Sequence, residues 1–338
     1  MKIMTTALLA AALSAALSAQ TYSVTKLVSN TAGVATFTDP NLINPWGLAA
    51  SGENPWWVSD NNSGLSTLYN GQGQIQSLVV TIPPGKAGGP IGAPSGIVAN
   101  STSDFGGNFF IFDTEDGTIQ GWNGAPSATI IVDNGAAASY KGLTMGVMGT
   151  ANVLFAADFF SGKVEAFDTN FNPITLATGA FTDSTLPAGF APFNVQNIGG
   201  DIFVTFAKQD STKLNNLNGA GLGYVDKFNP NGKLLMRLEH GNYMNAPWGI
   251  ALAGSNFGTL SGDLLVGNFG SGEVIAFNAS TGKVIGSLQG SNNKPIVIPG
   301  LWALAFGQGG NNGPSDWLYF TAGVKNETGG LFGFYAAN

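Results

Sequence analysis

The chain has no cysteine, one histidine and one arginine among its 338 residues. Without cysteine there is no disulfide, no thiolate metal site, no catalytic thiol and no covalent haem attachment. The lone histidine, His240, makes a three-histidine or two-histidine-carboxylate metal centre arithmetically impossible. No Gly-x-Ser-x-Gly turn supports a serine nucleophile acting with it. Charge is also scarce: 10% of residues are charged, where about 25% is typical. The balance is acidic, with 13 Lys and Arg against 20 Asp and Glu. An acidic surface carrying only Arg237 repels phosphate backbones, which excludes nucleic acid as a partner. Apolar runs long enough to span a bilayer are missing as well. Beyond the first 19 residues, no stretch repeats apolar residues at helical spacing over three turns.

What is present begins with a leader. Lys2 precedes an uncharged run of Ala, Leu and Ser over 7–19, and Ala16, Ser18 and Ala19 suit a cleavage site before Gln20. Residues 1–19 read as a signal peptide and 20–338 as one domain, secreted or periplasmic. With 44% apolar residues, that domain has the material for a large core. Its apolar runs are four to six residues long, rich in Val, Ile and aromatics, and bounded by Gly, Asn, Pro or Asp. That is strand vocabulary.

One unit returns about every 50 residues: a Pro/Gly-rich start, an apolar run, a second run ending in Asp or Asn, a Gly turn, and a third run ending in an aromatic. Pro45-Trp46-Gly47-Leu48-Ala49, Trp57-Val58-Ser59-Asp60, Gly64 and Tyr69 form one copy. Pro247-Trp248-Gly249-Ile250-Ala251, Leu265-Val266-Gly267-Asn268, Gly272 and Phe277 form another. The period predicts an all-β, six-bladed β-propeller with blades over 44–81, 93–132, 140–176, 191–239, 246–288 and 299–338. Third strands are expected to end at Tyr69, Trp122, Phe167, Phe228, Phe277 and Phe334. Blade six lacks a fourth strand of its own, while the alternating segment 22–28 has no blade. The N-terminal strand is therefore expected to close the last blade. Long polar loops at 83–94, 181–192, 208–223 and 290–300 are expected to gather on one face, where binding usually sits.

The segment Trp57-Val58-Ser59-Asp60-Asn61-Asn62-Ser63-Gly64-Leu65-Ser66-Thr67-Leu68-Tyr69 resembles the core of NHL-type propeller repeats. The starts Asn44-Pro45-Trp46-Gly47 and Ala246-Pro247-Trp248-Gly249 are similar to those of a family of exported bacterial proteins, some of which carry a C-terminal sorting tag. The resemblance implies a six-bladed propeller and brings no activity with it.

Two sets of residues are candidates for a site. Trp46, Trp248 and Trp302, with Asn44 and Asn194, fall at strand starts near the channel. The tryptophans either stack on a flat ligand or plug the channel. Asp60, Asp113, Asp158 and Asn268 fall at one repeat position. They either accept backbone hydrogen bonds within turns or offer oxygens to a hard cation such as Ca²⁺. The run Asp113-Thr114-Glu115-Asp116-Gly117 reads as a solvated turn. The expected function is a monomeric binding or scaffold protein, without cofactor, that meets a glycan, a peptide or a cell-surface protein on its loop-bearing face. The competing expectation is a lactonase-like hydrolase or lyase, assisted by Ca²⁺ at the channel mouth.

Overall fold

A computed structural model describes residues 20–338, and the expected leader lies outside the described residues. Six sheets succeed one another along the chain. Blade one pairs Pro45–Ala49, Trp56–Asp60, Leu65–Tyr69 and Ile75–Thr81 in order, all antiparallel. Blades two, four and five repeat that order. In blade six, Leu301–Phe306, Leu318–Ala322 and Leu331–Ala337 are followed by Tyr22–Ser29, which runs antiparallel to Leu331–Ala337. The N-terminal strand thus closes the ring, as its alternating pattern and missing partner predicted.

The blades are held by what lies between them. Trp57, Leu68, Val80, Ile97, Phe112 and Trp122 join blades one and two, and Phe203, Val225, Ile250, Val266 and Phe277 join blades four and five. Equivalent clusters fill every other blade junction. A strand in the middle of a blade meets a neighbouring sheet on each face, which is why the second strands of blades one, two, five and six are buried from end to end. Near the axis the sheets come closest. A methyl group on Gly47 would stand 2.6 Å from the Ser95 carbonyl oxygen, and one on Gly96 would stand 2.5 Å from the Leu143 amide nitrogen. Glycine is required there by the backbone of the next blade. Gly47→Ala is expected to destabilise the protein by roughly 1–3 kcal/mol, measured as a lowered denaturant midpoint at unchanged slope.

Register corrects two expectations. The third-strand aromatic pairs with a residue in the first half of the second strand, as in Trp56↔Tyr69, Phe110↔Trp122, Leu154↔Phe167 and Leu264↔Phe277. In blade six that pair is Leu318↔Tyr335, so Tyr335 carries the repeat and Phe334 faces the other way, stacked on Trp317. Likewise Asp60, Asp158 and Asn268 pair with Pro45, Tyr140 and Pro247, but in blade two Thr114 pairs with Pro94. Asp113 sits one residue earlier and therefore projects from the opposite face of its strand.

Blade three also departs from the plan. It has only Tyr140–Met148, Ala151–Asp158 and Lys163–Phe167, with a single bridge from Phe167 to Pro173 where a fourth strand was expected by residue 176.

Candidate functional site

The residue before the first-strand glycine, or before Asn194 and Ala303 where blades four and six replace it, faces the axis. Across the six blades this place is held by Trp46, Ser95, Lys141, Phe193, Trp248 and Trp302. Trp46 and Trp302 stack with ring centroids 3.6 Å apart, and Trp248 meets them edge-on at 6.1 and 5.9 Å. Phe193 and Phe159 complete the cluster, and the three tryptophans are at most 4% exposed. The indoles therefore plug the channel. The Trp302 Nε1–H donates to Asn44 Oδ1 at 3.0 Å and the Trp248 Nε1–H to the Lys141 carbonyl at 2.8 Å. The buried Nε1–H of Trp46 has no partner.

On one side of the plug lies a small space of about 50 Å³, lined by Gly47, Gly96, Asn194 and Trp248. On the other side opens a cavity of about 520 Å³ whose floor includes Trp46, Trp302 and Phe269. Its wall is built from turns between second and third strands: Asn61 and Asn62 of blade one, Glu115 of blade two, the asparagines of 215–218 in blade four, Ser271 of blade five, and 325–327 of blade six. The 290–300 loop adds Pro299 and Gly300, so two of the four long loops end at this mouth. The other two do not line it, although the 83–94 loop ends beside its wall, where the Ala93 carbonyl accepts from the Glu115 N–H at 2.9 Å and the Pro94 carbonyl from Asn61 at 3.3 Å. Asp183, in the 181–192 loop, pairs with Arg237 on blade four, and Gly85 donates its N–H to Asp116.

The mouth is charged and networked. Lys141 is buried, where four of the other blades place an aromatic, and is ion-paired with Glu115. Its ammonium also lies 5.4 Å from the Trp46 ring centroid, within cation–π range. Asn61 donates to Glu115 Oε2 at 2.8 Å, and Asn44 donates to Glu327 Oε2 at 2.9 Å. Burial raises the Glu327 carboxyl above its ordinary range and the nearby Glu115 charge adds to this, against the Asn44 hydrogen bond and the Lys141 charge. Lys325, Asn326 and Glu327 all take left-handed backbone, with φ of 56°, 52° and 65°. Three such residues in succession are strained unless fixed from outside. Here Asn62 donates to the Glu327 carbonyl at 2.8 Å while Asn44 holds its side chain.

Of the sequence candidates, Asn44, Trp46 and Trp302 meet at this mouth. Trp248 and Asn194 do not; Asn194 lies on the far side of the plug, donating to the Trp248 carbonyl at 2.8 Å. The four oxygen candidates stay apart, each buried and bonded locally. Asp60 Oδ2 accepts from the Thr67 N–H and hydroxyl at 3.1 and 2.7 Å. Asp158 Oδ1 accepts from the N–H groups of Ser139, Phe160 and Ser161, and Asn268 Oδ1 from Asn245 N–H at 2.8 Å. Asp113 Oδ1 takes the Ser95 hydroxyl at 2.9 Å and the Gly96 N–H at 2.5 Å. Among the described residues no three acidic or histidine side chains gather as metal ligands, so this set does not fit a Ca²⁺ ion. Glu115, read from sequence as part of a solvated turn, instead enters the cavity wall. His240 stacks on Tyr224 at 4.2 Å on blade four.

Lys141, Glu327, Asn61 and Asn62 escaped sequence reasoning. Lys141 left a signal: aligned on the following glycine, it is a cation at the place of Trp46 and Trp248. Glu327 left none, because its turn, between Ala322 and Leu331, is longer than the matching turns of blades one, two and three and the repeat gives it no position.

No protein-family model matches the chain. Uncharacterized protein R648 of Acanthamoeba polyphaga mimivirus is 31% identical over 326 residues, spanning 93% of this chain and 80% of that protein. That relative is viral, and it lends no support to the exported bacterial family expected from the strand starts. Among solved structures, virginiamycin B lyase from Staphylococcus aureus superposes with a TM-score of 0.56 at 9% identity, covering 93% of this chain and 99% of the lyase. The soluble aldose sugar dehydrogenase from Escherichia coli, in its apo form, superposes with a TM-score of 0.59 at 13% identity, covering 94% and 99%. Both likenesses are of fold. Among the described residues no helix is long and apolar enough to cross a membrane.

Proposed function

This chain belongs to the family that includes mimivirus protein R648, and from that premise we propose that it is an exported binding propeller whose mouth cavity takes the end of a glycan. The observation that carries the reading is the composition of the cavity. Asparagine amides, which both donate and accept, line a wall of about 520 Å³ volume, with the half-buried Phe269 as an apolar platform. Hydroxyl-rich ligands need that mixture, since each hydroxyl also donates and accepts. The plug below stops a ligand from passing through the channel, so binding is at the mouth alone.

The test is a glycan array probed with the purified chain, followed by calorimetric titration of the retained sugar. Saturable one-to-one binding is expected. Ser271→Trp, which fills the mouth from its rim, should weaken binding at least tenfold, about 1.4 kcal/mol. Retention of no glycan, or undiminished binding by Ser271→Trp, overturns the reading.

A second reading, a hydrolase or lyase at the same mouth, has one observation in its favour. Two carboxyls share the wall in different settings, Glu115 against the Lys141 ammonium and Glu327 raised by burial without an ion-pair partner. Such asymmetry suits an acid and a base working together. Release of product from the bound glycan, abolished in Glu327→Gln, would separate turnover from binding.

A further inference from the structure

Five blades end in a fourth strand and blade three does not. Its third strand, Lys163–Phe167, pairs with Ala151–Asp158 and on its outer side has only the bridge from Phe167 to Pro173. The consequence is clearest at Val164, three residues before the aromatic. The equivalent carbonyls of blades four and five, Val225 and Val274, accept from Leu238 N–H at 3.0 Å and Leu288 N–H at 2.9 Å. Among the described residues nothing bonds the Val164 carbonyl or N–H from that side. The chain makes one attempt: Ile174 N–H reaches the Ala166 carbonyl at 2.8 Å. It is then drawn off towards blade four, where Phe181 packs against Phe155 and Phe228 and its N–H bonds the Gly232 carbonyl at 2.8 Å. Beside the uncovered edge lies a groove of about 560 Å³, lined by Val132, Val164, Ala166, Phe167, Ile174 and Leu176. Open edges of this kind are templates for strand addition.

We propose that blade three is a strand acceptor, taking an extended apolar segment of a partner polypeptide as its fourth strand, antiparallel to the uncovered stretch Lys163–Glu165. The chain's own repeats specify the occupant. Fourth strands here are β-branched and apolar, as in Ile75–Thr81 and Thr129–Asp133. Blade six already receives its fourth strand from a distant part of the chain. Charge adds a direction. An antiparallel guest ends opposite Lys163, whose exposed ammonium favours an acid there, just as Asp133 ends the fourth strand of blade two opposite Thr118.

The probe is a fluorescein-labelled peptide copying residues 127–134, Ser-Ala-Thr-Ile-Ile-Val-Asp-Asn, titrated into the full chain and followed by anisotropy. Saturable binding is expected, with the Val164 amide exchanging rapidly in the free protein and protected at least tenfold when the peptide is bound. Val164→Pro removes the outward N–H and should abolish binding. Ala177→Trp fills the groove from an exposed position without touching the blade and should weaken binding at least tenfold, so the proposal stays testable if the proline variant fails to fold. Ser271→Trp at the mouth should leave peptide binding unchanged. Absence of saturable binding, full affinity in Ala177→Trp, a Val164 amide already protected without peptide, or a dimer paired through this edge would each overturn the proposal.

Discussion

A chain beginning at residue 31 should lose its cooperative melt. The strand it lacks, Tyr22–Ser29, is the outer strand of blade six and also the clasp between the first and last residues of the ring. Seven residues of it pair with Leu331–Ala337. The Tyr22 N–H donates to the Gln289 carbonyl at 2.8 Å and its hydroxyl to the Phe257 carbonyl at 3.1 Å, so the strand ties blade six to blade five. At the other end Leu27 and Val28 are buried among Trp56, Tyr69 and Phe332, towards blade one. Burying Tyr22, Leu27 and Val28 is worth roughly 1.5–3 kcal/mol each, and the whole protein has about 5–15 kcal/mol. Removal therefore takes a large part of the total, and the melting temperature should fall by about 15 °C or more if a transition survives. Calorimetry on the truncated chain reads this directly. A permutant should separate closure from mere length. Gln20 Nε2 donates to the Asn338 carbonyl at 2.7 Å, so in a chain starting at residue 20 these two ends can be fused, with new ends opened in the exposed 291–293 turn. That permutant should melt near the parent. A truncated chain that unfolds cooperatively within a few degrees of the full one would show that the ring does not depend on its clasp.

The blade count and the clasp are legible in the sequence for a physical reason. Each blade must turn three times and approach its neighbour closely at the axis, and these needs leave glycine, aspartate and aromatic marks at a fixed period. Gly47 and Gly96 are such marks, explained by the backbone of the next blade. What is not legible is register to a single residue. Phe334 and Tyr335 are adjacent aromatics, and only the pairing with Leu318 says which belongs to the repeat. Asp113 and Thr114 pose the same difficulty, with the larger consequence that a carboxylate moves to the other face of the sheet. The mouth is less legible still. Lys141 could have been found by aligning the blades, since a cation at an aromatic place is an anomaly. Glu327 could not, because its position depends on a strained turn held by Asn44 and Asn62, residues 283 and 265 positions away. Sites made of unlike loops meeting on an axis leave no periodic trace.

Asp113 also carries the second large effect, a stability that declines as pH rises. Its carboxyl is fully buried between blades two and three, accepts the Ser95 hydroxyl and Gly96 N–H on one oxygen, and has no partner for the other. Burial outweighs those bonds and pushes it up to about 7 from an ordinary 3.8. The folded protein therefore holds this proton more tightly than the unfolded chain. The associated stability is fully present below pH 4, is lost between about pH 4 and 7, and is gone above that. A shift of about three units corresponds to a loss on the order of 4 kcal/mol across the window. Asp60, raised well above its usual range by burial, and Asp226, pushed up to about 6 mainly by burial despite Arg237, act in the same direction. Asp113→Asn keeps an oxygen for Ser95 and Gly96 and has no charge to bury. It should match the parent near pH 4 and exceed it by several kcal/mol at pH 8, with a flatter profile between. Denaturant unfolding of both proteins at half-unit intervals measures the difference. Parallel profiles, or a parent that gains stability from pH 4 to 7, would mean that the fold does not hold the Asp113 carboxyl protonated.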